Sequence, residues 1–152
     1  MADRSDEALR VLKAEAVAVE NSVSYYRRLA QGRIEILEAE QRRRAEGGSV
    51  ADLIEALPQI LGGTHGRSTA ANSRFVEPDL DYIELEWPDG RQHLVTDDGT
   101  LASLPMISDA ELGDVMERLQ AFERELSDDR RRLHTVIDAA DHEIAVRAAA
   151  GI

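Results

Sequence analysis

Apolar side chains return along residues 9–37 at alternating steps of three and four: Leu9, Leu12, Ala16, Val19, Val23, Tyr26, Ala30 and Leu37, with Arg33 as the polar interruption. That spacing is the seam of a coiled coil sustained over about four heptads. It predicts a long helix over 5–46, opened near Ser5 or Asp6 and stopped by Gly47-Gly48. At 1.5 Å per residue such a helix is roughly 60 Å long and needs a partner of similar length. The partner lies at the far end of the chain. Ser108-x-x-Glu111 reads as a capping box, and Leu112, Val115, Leu119, Phe122, Leu126, Leu133, Val136, Ala140 and Ile144 carry a second seam through a helix over 108–150.

The pattern between the two seams changes. Ser49-x-x-Asp52 opens a short helix over 49–61, with Leu53, Ile54, Leu57, Ile60 and Leu61 on one face and Pro58 set to kink or end it. Residues 62–78, rich in Gly, Ser, Thr, Ala and Asn, read as a mobile loop of about 17 residues. Tyr82 to Trp87 alternates as a strand does, followed by Pro88-Asp89-Gly90 and then Arg91 to Thr96. That is a hairpin signal, and a small β-hairpin region is expected over 82–104, with Trp87 packing its sheet. The fold class predicted is mainly α: one domain over 1–152, a long antiparallel two-helix coiled coil with a short helix and small β-hairpin inserted. Antiparallel pairing is favoured because a parallel return would have to span the full helix length. Placing Arg27 beside Arg130 also aligns Asp6 with Gly151 and Ala45 with Leu112.

Composition narrows the function classes. Only 4% of the residues are aromatic, which suits aliphatic helix-against-helix packing, and a net charge of -12 argues against direct DNA or RNA binding. An anionic ligand must therefore be held by local arginines. The absence of cysteine fits a reducing compartment. Met1 to Arg10 lacks the apolar core of a signal peptide, and no window approaches a membrane span. The expectation is a soluble cytoplasmic protein with no membrane partner.

The candidate chemistry lies in a polar stripe that occurs twice. Glu20, Ser24, Arg27, Gln31 and Glu35 stand at spacings of 4, 3, 4 and 4, and Glu123, Ser127, Arg130, His134 and Asp138 repeat them about a hundred residues later. On a helix the five positions fall within an arc of about 80°. The copies also share a phase against their seams: Val19, Val23 and Tyr26 precede Glu20, Ser24 and Arg27, as Phe122 and Leu126 precede Glu123 and Ser127. An antiparallel pair of such stripes has a local pseudo-two-fold axis and suits a two-fold ligand. Arginine's planar fork matches the N7 and O6 acceptors of guanine, and a carboxylate accepts from its ring N–H and amine. Ser, Gln and His bond phosphate or ribose oxygens. A guanine dinucleotide with two phosphates would use every member.

The two stripes resemble the Glu-x3-Ser-x2-Arg-x3-Gln-x3-Asp repeat of the RsiG family, actinobacterial anti-sigma factors built as antiparallel coiled coils. The copies depart from it at Glu35, where the family has Asp, and at His134, where it has Gln. The resemblance covers the two motif helices and stops short of the hairpin and loop between them. It implies a ligand, cyclic di-GMP, bound as an intercalated pair of molecules, and a partner, a WhiG-type sigma factor of the flagellar and sporulation class. Sequestered in this way, the sigma factor cannot join RNA polymerase.

Plainer readings stand beside this one. Glu, Arg and Gln beside an apolar seam form flanking ion pairs in many coiled coils, so a nucleotide-independent adaptor is the alternative. His134 and Asp138, spaced four apart, make two metal ligands without a third, and no metal is expected. Arg42-Arg43-Arg44 and Arg130-Arg131-Arg132 are basic runs of the kind that usually form solvated faces, although the second contains the motif arginine. His65 and His93 have no evident partner set. No nucleophile–base pair or phosphate-cradling glycine loop stands out, and the chain is not expected to be an enzyme. A hydrolase of the nucleotide would need a base or metal ligands that the stripe lacks.

Overall fold

The computed structural model describes residues 1, 3–64 and 83–151, with the side chains of Val50 and 61–64 left aside. Two helices dominate: α1 (Asp6–Glu46), of 41 residues, and α5 (Asp109–Ala150), of 42. Local chemistry sets their ends. The Ser5 hydroxyl accepts from the Ala8 N–H at 3.2 Å, with Asp6 and Glu7 in the first turn where the helix dipole favours acid. Ser108 and Glu111 form a reciprocal capping box at the start of α5. Gly47 and Gly151, both at φ 70°, close the two helices in a left-handed conformation that a side chain would strain.

The helices pack antiparallel. Asp6 meets Arg147 at 2.8 Å at one end, and Arg44 meets Asp109 at 2.8 Å at the other. Leu9, Ala16, Val23, Tyr26, Ala30 and Leu37 from the first seam are buried, as are Leu112, Leu119, Phe122, Leu126 and Ala140 from the second. The register differs from the expected one. Asp6 reaches Arg147 rather than Gly151, a slide of about one helical turn. The slide staggers the two central arginines, so each faces a carboxylate on the opposite helix instead of another guanidinium.

Helix α2 (Val50–Thr64) opens with the expected capping box, Ser49 and Asp52 bonding reciprocally at 3.2 and 2.8 Å. It runs through Pro58 and past residue 61. The hydrogen bond proline forfeits is the one to the carbonyl of Ile54, a residue on the exposed side of the helix. Leu53 is buried against α1, Leu57 and Ile60 are half-buried, and Ile54 points outward. The one apolar face expected of α2 is therefore narrower. From residue 65 onward the expected loop lies outside the described residues, as does Tyr82.

The expected β-hairpin does not form. Residues 83–87 form neither helix nor strand, and residues 91–106 wind into single turns: α3 (His93–Thr96), α4 (Gly99–Ala102) and a 3₁₀ turn (Leu104–Met106). Side chains take the bonds a second strand would have made. The Trp87 N–H donates to the Gln92 side chain at 3.1 Å, and the Ile83 N–H donates to the Ser22 hydroxyl at 3.1 Å. Trp87 packs on the long helices rather than on a sheet. Its ring stands edge-on between Tyr26 of α1 and Phe122 of α5, with centroids at 5.3 and 5.0 Å.

Arg33, the polar break in the first seam, is only 8% exposed and anchors this insert. Its guanidinium donates to the Asp97 carbonyl at the end of α3 and to Asp98 Oδ1. Arg43 and Arg44 are likewise not a solvated run. Both grip the fully buried Glu40, Arg43 reaches on to the Gly48 carbonyl, and Arg44 reaches Asp109 and the Leu104 carbonyl. The Arg43 hydrogen bonds, with those of Arg44, outweigh burial and hold the Glu40 carboxyl below the ordinary range.

Candidate functional site

Among the described residues, the insert packs against one face of the coiled coil. Ser22, Tyr26, Arg33 and Glu125, which contact the insert, lie roughly opposite the stripes on their helix wheels. Both stripes therefore border the seam on the side away from the described part of the insert, where α1 and α5 hold them face to face.

The two copies interlock. Glu20 Oε1 accepts from Ser24 on its own helix at 2.7 Å and, across the seam, from Arg130 Nε at 3.0 Å, with His134 Nε2 at 3.1 Å. Glu123 Oε1 accepts from Ser127 on its own helix at 3.0 Å and, across the seam, from Arg27 Nε at 3.2 Å and Gln31 Nε2 at 3.3 Å. Exchanging the helices maps one set onto the other, which is the pseudo-two-fold anticipated from the repeat. Ser127 adds a departure from symmetry, because its hydroxyl also takes Arg27 Nε at 2.8 Å.

Eight of the ten stripe residues are thus drawn into two half-sites, each built from both helices. Glu35 is half-buried and Asp138 is exposed, at the outer ends of the stripes. His134 turns to Glu20 on the opposite helix rather than pairing with Asp138 on its own. Among the described residues no group of three or more His, Asp or Glu gathers as a metal site would.

What the half-sites leave unused matters for recognition. Each central carboxylate receives all its partners on Oε1, so Oε2 of Glu20 and of Glu123 has no hydrogen-bond partner among the described residues. Each arginine is tethered through Nε, so the terminal nitrogens of Arg27 and Arg130 also have none among them. Their side chains are 30% and 41% exposed. A half-site therefore combines terminal guanidinium N–H donors and a carboxylate oxygen that no described residue engages. Burial by itself would raise the Glu20 pKa, but the hydrogen bonds from Ser24, Arg130 and His134 outweigh it and keep the carboxyl below its ordinary value.

Residues 1–61 match the family described as RsiG-like. The match takes in all of α1, including Glu20, Ser24, Arg27, Gln31 and Glu35, and ends within α2. The RsiG-type resemblance is thereby confirmed on the first helix. The second copy, on α5, lies beyond the matched residues and rests on its own pattern and its pairing with the first. No curated protein matches the chain. No helix among the described residues is long and apolar enough to cross a membrane.

Sequence reading supplied every residue of the two half-sites but not their cross-helix bonding, since it assigned all ten polar groups to a ligand. The residues it missed lie behind the site. Ser22 and Gln92, which hold the insert, and Glu40, which gathers the arginines at the end of α1, carry no motif. The polar break at Arg33 was the one legible signal.

Proposed function

We propose that this chain is an RsiG-type anti-sigma factor that binds cyclic di-GMP on the open face of its coiled coil and, so loaded, sequesters a WhiG-type sigma factor. The observation that carries the reading is the pair of half-sites related by a pseudo-two-fold, each offering an arginine fork beside a free carboxylate oxygen. Guanine presents N7 and O6 acceptors on one edge and N–H donors on another, and a cyclic dinucleotide repeats them about its own two-fold. Arg27 and Arg130 are assigned to the acceptor edges. Glu20, Glu123, Glu35 and Asp138 are assigned to the donors, and Ser24, Ser127, Gln31 and His134 to sugar and phosphate oxygens. The open face is shallow, so bound nucleotide stays partly exposed and forms part of the sigma-docking surface. No catalytic role is assigned.

One observation favours a second reading. The cross-helix ion pairs are complete without any ligand, which is how a nucleotide-independent coiled-coil adaptor would lock its register. Calorimetric titration with cyclic di-GMP and cyclic di-AMP separates the two. The proposed function requires binding that prefers guanine, and a sigma-factor pull-down that strengthens with the nucleotide. An inert protein in the first experiment leaves the adaptor.

A further inference from the structure

The two half-sites are not equivalent, and the difference lies in one side chain. Gln31 donates to Glu123 Oε1 at 3.3 Å, while the pseudo-two-fold position on α5 holds His134, whose Nε2 sits 3.1 Å from Glu20 Oε1. A glutamine amide is neutral at every working pH. An imidazole gains a positive charge as pH falls through the range where histidine titrates.

That charge enters a face short of positive charge. The ten stripe residues contain four carboxylates (Glu20, Glu35, Glu123, Asp138) and two arginines (Arg27, Arg130), a balance of -2 with the imidazole neutral and -1 with it protonated. A bis-phosphodiester ligand carries two negative charges and no group that titrates near neutrality. The charged groups around His134 are Glu20 from α1 and, from its own helix, Arg130, Arg131 and Asp138 one turn away. The neighbours of Glu20 one turn away on α1 are Ala16, Val17, Val23 and Ser24, none of which titrates. Glu20 stays anionic through this range, its carboxyl held low by its hydrogen bonds despite burial.

Resting on the nucleotide-binding reading above, we propose that His134 makes ligand binding proton-linked. The half-site around Glu20 binds the dianionic dinucleotide more tightly as pH falls, and binding takes up a proton, while the half-site around Glu123 is indifferent to pH. By linkage, a ligand that binds the protonated form more tightly must raise proton affinity by the same factor.

The test is calorimetric titration of the full chain with cyclic di-GMP from about pH 8 to about pH 5.5, in buffers of different ionisation enthalpy. For the unaltered protein, affinity should rise roughly threefold or more across the range, the scale of one added charge near a phosphodiester in a high-dielectric face. His134→Gln should bind with little pH dependence and no linked proton uptake. Gln31→His, which places a second imidazole on Glu123, should steepen the dependence. Binding whose pH dependence is absent, or survives His134→Gln unchanged, overturns the inference and leaves the nucleotide reading standing. No binding at any pH overturns both.

Discussion

Arg27 of α1 is tethered through its Nε to Ser127 and Glu123 of α5, at 2.8 and 3.2 Å, while its terminal nitrogens have no hydrogen-bond partner among the described residues. A lysine would keep the charge but offer a single ammonium in place of an inner tether and an outer fork. Arg27→Lys should therefore leave the thermal midpoint within a few degrees, since a half-exposed ion pair contributes about 1 kcal/mol or less. It should weaken cyclic di-GMP binding by about tenfold or more, the cost of one bidentate base contact. Calorimetry and thermal melts on the same samples check both halves.

The staggered register makes a second prediction about Arg27 and Arg130 together. Each belongs to a different half-site, so Arg27→Ala and Arg130→Ala should each weaken nucleotide binding, and the double variant more than either. All three should retain far-UV helicity, because the buried seam from Leu9 to Leu37 is untouched. Loss of helicity in the single variants would show that these arginines hold the coil together rather than read a ligand.

Acid stability follows from the lowered carboxyls. Glu20 and Glu40 both have folded-state pKa values below their ordinary ones. A carboxyl depressed on folding contributes stability that is fully present above its unfolded value, about 4.3, and is lost as pH falls through the folded one. The urea midpoint should thus hold steady near neutrality and drop on acidification below about pH 4.5. Glu20→Gln should flatten that acid limb in part, and Glu20→Gln with Glu40→Gln should flatten it further.

Trp87 is the chain's single tryptophan, so its fluorescence reports on the insert alone. Arg33→Leu removes the tie to Asp97 and Asp98 and places an apolar residue in the seam. The emission should shift to the red as Trp87 leaves Tyr26 and Phe122, while far-UV helicity of the coil persists. Trp87→Ala should cost about 2–3 kcal/mol in urea unfolding, below the 3–5 of a fully buried aromatic because the residue is only half-buried. Unchanged emission in Arg33→Leu would mean that the aromatic stack, not the buried arginine, fastens the insert.

Periodicity and capping chemistry are local properties, and they were enough to predict the two long helices, their ends at Ser5, Gly47 and Ser108, and the buried seams. The stripes were legible for the same reason: a helix puts residues three and four apart on one face whatever surrounds it. The sense of pairing also followed from the chain, since a parallel return would oblige the connection to span the full length of the helix.

Three features depended on contacts between distant residues. The alternation over 82–87 is a strand signal only if a partner strand takes its backbone bonds, and here Ser22 and Gln92 took two of them. The register moved by about a turn because like charges at Arg27 and Arg130 settle opposite carboxylates, a preference visible only when both helices are present. The buried arginine at position 33 breaks the seam by itself, and only the docked insert supplies Asp97 and Asp98 to compensate it. The residues of the candidate site were thus written in the sequence. Which atoms remained open to a ligand was decided by the opposite helix.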